Sequence, residues 1–158
     1  MVIRPVQHSD DKTLARIIRE VFDEHDAPHE GTVYTDPTTD ALSELFKRPG
    51  SALWVAEEKG LLGCCGIYPT DGMPRGCVEL VKFYLAKEAR GKGVGKMLME
   101  KCMASAKDFG YREIYLESLP HFTRALDIYK KQGFKKLDHP LGKSKHTGCD
   151  IWLLKRLA

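Results

Sequence analysis

The run ELVKFYLAKEARGKGVGKMLME, Glu79 to Glu100, decides the fold. Its first part continues an apolar stretch from Cys77 to Leu85 that reads as a central strand, although it carries Glu79 and Lys82. Its last part begins a helix over Gly93–Phe109, on which Val94, Leu98, Cys102 and Ala106 share a face and after which Gly110 supplies a stop. Between them lies Arg90-Gly91-Lys92-Gly93-Val94-Gly95-Lys96. Glycines let a bulky anion approach the backbone, and the first turn of a helix offers unpaired amides and a positive dipole end. Lys87, Arg90, Lys92 and Lys96 add charge around that turn, so a diphosphate is the expected ligand. Two common phosphate loops do not fit. A Walker loop ending at Gly95-Lys96 needs glycine at Arg90 and Ser or Thr at Met97, and a dinucleotide fingerprint from Gly91 needs glycine at Lys96.

Working outward toward the N-terminus, Leu61–Tyr68 and Ala52–Glu57 flank Glu58-Lys59-Gly60 and read as a hairpin. Thr39–Lys47 reads as a short helix stopped by Pro49-Gly50, and residues 23–36 as an exposed polar loop. Leu14, Ile17, Ile18, Val21 and Phe22 form one helical stripe, capped by Ser9 and preceded by a strand over Val2–Val6. Toward the C-terminus, Glu113–Ser118 is a strand and Thr123–Gln132 a helix ended by Gly133. Strands over Phe134–Leu137 and Cys149–Leu154 close the chain. The order is β-α-α-β-β-β-α-β-α-β-β, one mixed α/β domain over residues 1–158.

Composition narrows the function classes. Hydrophobic residues make up 42% and charged residues 30%, which excludes a disordered chain. The net charge of +3 supports neither nucleic acid nor membrane as a partner. Lys130, Lys131, Lys135 and Lys136 read as a solvated face. Five cysteines, an odd number with no C-x-x-C pair, suit reduced thiols. With no long apolar segment, the chain is expected in the cytoplasm. The segment Asp23–Glu30 is acidic and bears His25 and His29, but its spacing matches no specific metal site, and no metal is expected.

Arg90, Gly93 and Gly95 match R/Q-x-x-G-x-G/A, the coenzyme A pyrophosphate signature of the GNAT superfamily of N-acetyltransferases. Ala125–Phe134, ALDIYKKQGF, resembles that family's second motif, A-x-x-L-Y-x-x-x-G-F. The resemblance covers nearly the whole chain. It implies a single-domain GNAT-like fold: a mixed, mostly antiparallel twisted sheet of about six or seven strands flanked by about four helices. It implies acetyl transfer from acetyl-CoA, a cosubstrate, to a primary amine of a small molecule, peptide or protein by direct attack. An acyl-CoA binding or sensing module without catalysis is the alternative, and a nucleic-acid-binding domain a third. Arg90, Gly91, Lys92, Gly93, Val94, Gly95 and Lys96 would hold the pyrophosphate. Backbone amides at Phe83, Tyr84 and Leu85, where the family's strand splays from its neighbour, would meet the acetyl carbonyl and pantetheine.

Transfer to an amine needs a base, since an amine of pKa near 10.4 is neutral only about once in 2,500 molecules at pH 7. An acidic residue inside an apolar strand is costly unless paired, hydrated or used. Glu79 is therefore the candidate base, at the position where some relatives place one, or else a structural Glu paired with Lys82, Arg75 or Lys135. Glu117 is second. Tyr129 corresponds to the tyrosine that often protonates the departing sulfur in the family; otherwise its ring packs in the core. Where many relatives carry a cofactor-binding Asn this chain has Phe122. The neighbouring His121 is either a substrate contact, a base or a solvated loop residue. In the family the segment after the first helix caps the acceptor side, so residues 23–30 contact substrate or are solvated. The loop Asp138–Gly148 would form the opposite wall, and an exposed edge among the last strands could support a homodimer.

Overall fold

The structure, a computed structural model, describes residues 1–142 and 148–157. Among the described residues seven strands form one sheet: β1 (Val2–Pro5), β2 (Ala52–Glu57), β3 (Leu61–Tyr68), β4 (Cys77–Leu85), β5 (Glu113–Ser118), β6 (Lys135–Lys136) and β7 (Ile151–Arg156). Their spatial order is β1-β2-β3-β4-β5-β7-β6. Every neighbouring pair is antiparallel except β4 with β5. That parallel pair needs a crossover, and the glycine turn with α3 (Val94–Asp108) provides it. The other helices are α1 (Asp11–Glu24), α2 (Leu42–Leu45) and α4 (Thr123–Lys131).

Because side chains alternate across a strand, the sheet needs cover on both faces. Leu14, Ile18 and Phe22 of α1 and Leu42 of α2 pack with Val55 and Cys64 on one side. Leu98, Met99 and Cys102 of α3 pack with Ala56, Cys65, Val78 and Leu80 on the other, joined by Tyr129 and Phe134. Each fully buried aliphatic side chain contributes roughly 1.5–3 kcal/mol, so the α1 stripe alone is a substantial part of the core.

The mixed α/β class, the seven strands and the four helices agree with the sequence reading, while several boundaries differ for local reasons. Ser9 is not the cap of α1: residues 8–10 form a 3-10 turn and Asp10 takes the N-cap position. Asp10 accepts the two terminal nitrogens of the Arg4 guanidinium at 2.9 and 3.0 Å and the Gln7 amide at 2.8 Å, which holds its carboxyl below the usual range. The expected helix over Thr39–Lys47 shrinks to α2. Pro37 and the Asp36 cap start a 3-10 turn through Asp40, where Thr39 donates to the Val33 carbonyl at 2.7 Å. Ala41, at φ −139°, then breaks it from α2. The closing strands are β6, of two residues, and β7, shifted two residues toward the C-terminus relative to the expected 149–154. Nor is the loop 23–36 wholly exposed, since Ala27 and Val33 are buried against α1 and Thr32 is buried too. Two groups along that loop pair with each other. His29 lies 2.9 Å from Asp23 and stacks on Tyr34 at 3.5 Å between ring centroids.

Candidate active site

β4 and β5 separate partway along their length. They pair at Cys77↔Glu113, Val78↔Ile114 and Glu79↔Tyr115 and no further, although β4 continues to Leu85 and β5 to Ser118. On its other side β4 stays paired with β3 up to Gly63↔Leu85. The edge of β4 from Leu80 onward therefore faces a gap, and a cleft of about 550 Å³ fills it. Phe83, Tyr84 and Leu85 line it, together with Glu79, Arg90 and Tyr129.

A bulge shapes this edge. The β3–β4 register shifts between Gly66↔Val81 and Cys64↔Tyr84, and Lys82 takes a left-handed conformation at φ 56°. The extra residue flips the alternation. Val78 and Leu80 pack on the α3 side before it, and Phe83 and Leu85 do so after it, while Tyr84 joins the α1 side.

Beyond Leu85 the chain enters the glycine turn. Gly91 and Gly93 sit at φ 77° and 76°, with no atom within 4 Å of where a side chain would begin. A left-handed conformation costs other residues about 1–2 kcal/mol, which explains glycine at both positions. Gly95 is required for closeness instead, since a Cβ there would lie 3.0 Å from Phe83 and 3.2 Å from Leu85. Gly93 caps α3 without any side-chain bond, so the amides opening the helix stay available to a ligand. Gly91, Lys92, Gly93 and Lys96 are exposed, whereas Val94 is buried. Arg90 is engaged elsewhere. Its guanidinium grips both carboxylate oxygens of Glu24, one at 2.8 Å, and donates to the Leu85 carbonyl at 3.2 Å. Glu24 was expected on the acceptor side; here it ties the end of α1 to the turn.

At the inner end of the cleft lie Glu79 and Glu117, both lining it. Glu79 is 5% exposed and accepts a hydrogen bond from the Thr70 hydroxyl. Burial pushes its carboxyl up to about 7, the Glu117 charge adds to the rise, and Thr70 and Lys82 oppose it. None of the three expected basic partners, Lys82, Arg75 or Lys135, bonds to it among the described residues; Thr70 does so instead. Glu117 accepts from the Tyr115 hydroxyl at 2.8 Å, and that hydroxyl accepts the Leu141 amide at 3.1 Å.

Tyr129 is buried, its ring against Phe83 and Phe134 at 5.8 Å each between centroids. Its hydroxyl makes no hydrogen bond to another side chain or the backbone among the described residues. Since no fully buried polar side-chain atom there lacks a partner, the hydroxyl reaches the cleft. Burial raises its pKa, so it stays protonated. Phe122 turns inward and meets Phe22 edge-on at 5.2 Å, closing the cleft with an apolar wall. His121 is exposed and does not line the cleft. Of the loop Asp138–Gly148, residues 143–147 lie outside the described residues. Sequence reasoning missed Thr70, which carried no signal, and Lys82 as a cleft residue, although a lysine inside an apolar strand is one.

Among the described residues no group of three or more His, Cys, Asp or Glu could hold a metal ion, and no helix is long and apolar enough to cross a membrane. A model of the acetyltransferase (GNAT) family matches residues 18–134. The chain is 34% identical to the N-acetyltransferase YjgM of Escherichia coli over 158 residues, covering 99% of this chain and 95% of that one. A GNAT-family acetyltransferase of Staphylococcus aureus superposes with a TM-score of 0.86 at 19% identity, over 99% of both chains. YncA of Salmonella typhimurium, solved with its cofactor acetyl-CoA, superposes at 0.76 and 20% identity, over 100% of this chain and 94% of that one.

Proposed function

The chain belongs to the GNAT family and is an acetyl-CoA-dependent N-acetyltransferase, and from that premise we propose that it acetylates a primary amine by direct attack in the splayed cleft. The observation that carries this reading is where the β4–β5 ladder stops. It ends at Glu79, so one strand supplies a buried carboxyl and, just beyond it, an edge of backbone facing the cleft.

The residues divide the work by chemistry. Acetyl-CoA supplies the activated acyl group. The amides at the head of α3, with Gly91 and Gly93 admitting close approach, hold its pyrophosphate, and Lys92 and Lys96 add positive charge. Arg90, bonded to Glu24 and to the Leu85 carbonyl, keeps a further positive charge beside the turn. Glu79 takes the proton from the acceptor ammonium, directly or through water, and a carboxyl near 7 is well matched to that task at neutral pH. The edge amides at Phe83, Tyr84 and Leu85 receive the carbonyl oxygen as its charge grows, an effect worth roughly 3–4 kcal/mol per well-aimed donor. Tyr129 hands its proton to the sulfur as the carbon–sulfur bond breaks. The nitrogen loses two protons in all. The first goes through Glu79 to solvent before attack, and the second leaves the tetrahedral adduct and restores the Tyr129 phenol by way of water. Ammonium and acetyl-CoA thus give amide, free thiol and one released proton. Four buried free thiols and a fifth half-buried one fit a reducing cytoplasm.

The test is release of free thiol from acetyl-CoA with a panel of amines, run beside calorimetry of coenzyme A binding. Saturable binding with amine-dependent thiol release supports the reading. Binding without turnover of any amine would replace it with an acyl-CoA sensing module.

A further inference from the structure

Lys82 has no part in the chemistry above, and its setting is unusual. It is 6% exposed, lies at the bulge of β4 and lines the cleft. Among the described residues its Nζ has neither a hydrogen bond nor a carboxylate within ion-pair distance. No fully buried polar side-chain atom there lacks a partner, so this Nζ keeps some exposure, on a residue that lines the cleft. An unpaired cation taken out of water costs several kcal/mol unless something compensates it. Here the bulge is what turns it inward: without the extra residue, the alternation that places Leu80 on the α3 side would place Lys82 there too.

We propose that Lys82 anchors an anionic group of the acceptor, and that the acceptor is a small amine carrying a carboxylate, a free amino acid. This rests on the acetyltransferase reading, which it deepens. The cleft presents Glu79 and Glu117 to an ammonium and Lys82 to an anion, the charge pattern of a zwitterion. A polycation would meet Lys82 with a repelling charge, and an amine with no anion would leave it buried and unsatisfied. The cleft of about 550 Å³ must also take the acyl end of the cofactor, which suits a small acceptor. Burial lowers the Lys82 pKa, while the charges of Asp36 and Glu79 oppose the fall, and a bound carboxylate would restore the ammonium.

The test uses the full chain saturated with coenzyme A. Alanine, methionine and phenylalanine are each set beside the carboxamide and the decarboxylated amine, with spermidine as the polycation. Binding is read from the shift of the thermal midpoint, and turnover from thiol release with acetyl-CoA. At least one free acid is expected to exceed its amide and its decarboxylated amine by on the order of 10²-fold in kcat/KM, chiefly through KM. Lys82→Met should bring that ratio to within about threefold while Lys82→Arg keeps most of it. Lys82→Gln serves if the Met variant does not fold, and the acid-to-amide ratio of the unaltered chain needs no variant at all. No acid preference in binding or turnover, a preference for spermidine, or a ratio that survives loss of the charge would each overturn the proposal. The two readings fail differently. Acids that bind through Lys82 without acetyl transfer would sink the proposed chemistry and leave the anion site standing. Equal turnover of acids and amides would do the reverse.

Discussion

The glycine turn and the inner end of the cleft serve the same reaction but are built in opposite ways. The turn is one contiguous stretch, Arg90–Lys96, and what it offers a ligand is mostly backbone: amides, a helix end and missing side chains. The inner end is assembled from side chains on separate elements, with Glu79 and Lys82 from β4, Glu117 from β5, Tyr129 from α4 and Thr70 from the segment after β3. A pyrophosphate grip is thus fixed by local conformation, whereas base strength and acceptor choice depend on what the fold buries together. Substitutions in the two regions should fail in different measurements.

The largest effect expected is at the inner end. Glu79→Gln removes the base and should lower kcat by about 10²–10⁴. Steady-state rates from pH 5 to 9 should lose the acidic limb centred near 7, with coenzyme A affinity nearly unchanged. A weakened cofactor with an intact limb would erase the contrast between the regions.

The same substitution should separate stability from activity. A carboxyl raised on folding keeps its proton after the unfolded chain has lost one, so stability is greatest below about 4.5 and falls as pH rises to about 7. Glu79→Gln should therefore be more stable than the unaltered chain at pH 8, by up to about 3 kcal/mol in urea unfolding, and similar to it at pH 4. Equal stabilities at both values would mean that burial does not hold the proton on Glu79.

The turn is challenged by Gly95→Val, whose Cβ meets Phe83 at 3.0 Å and Leu85 at 3.2 Å. Overpacking of this kind costs roughly 1–3 kcal/mol, and because it displaces the helix head it should appear as about tenfold or greater loss of coenzyme A affinity by calorimetry. The midpoint of the acidic limb should stay in place.

The smallest effect is expected at the Glu24–Arg90 pair, whose side chains are 27% and 19% exposed. Exposed pairs are worth about 0.2–1 kcal/mol. Glu24→Gln removes an anion beside the pyrophosphate turn and should tighten coenzyme A binding by about two- to fivefold, less so in high salt. Loss of binding would instead show that the pair holds the turn in shape.

What could be read from the sequence follows the same division. Arg90, Gly93 and Gly95 with the helix behind them stand next to one another in the chain, so their chemistry was visible without tertiary structure. The longer helices were visible because Leu14–Phe22 and Val94–Ala106 repeat at helical spacing. The short α2 was overextended because a 3-10 turn begun at Pro37 has no apolar period of its own. Glu79 stood out as an acid in an apolar strand, but its partner Thr70 comes from a turn-rich connection with no periodic signal. Lys82 was placed near Glu79, and its entry into the cleft was hidden because the bulge depends on pairing with β3. Phe122 marked a departure from the family motif, and its apolar contact with Phe22 appears only once α1 packs beneath it.

The account turns on a carboxyl held ready to exchange a proton near neutrality, and carbon-13 NMR of Glu79 across pH 4 to 9 tests that directly, with Glu79→Gln to assign the signal. A midpoint near 7, moving downward when Glu117 is neutralised, is the result predicted. A midpoint at the ordinary value near 4.5 would contradict it.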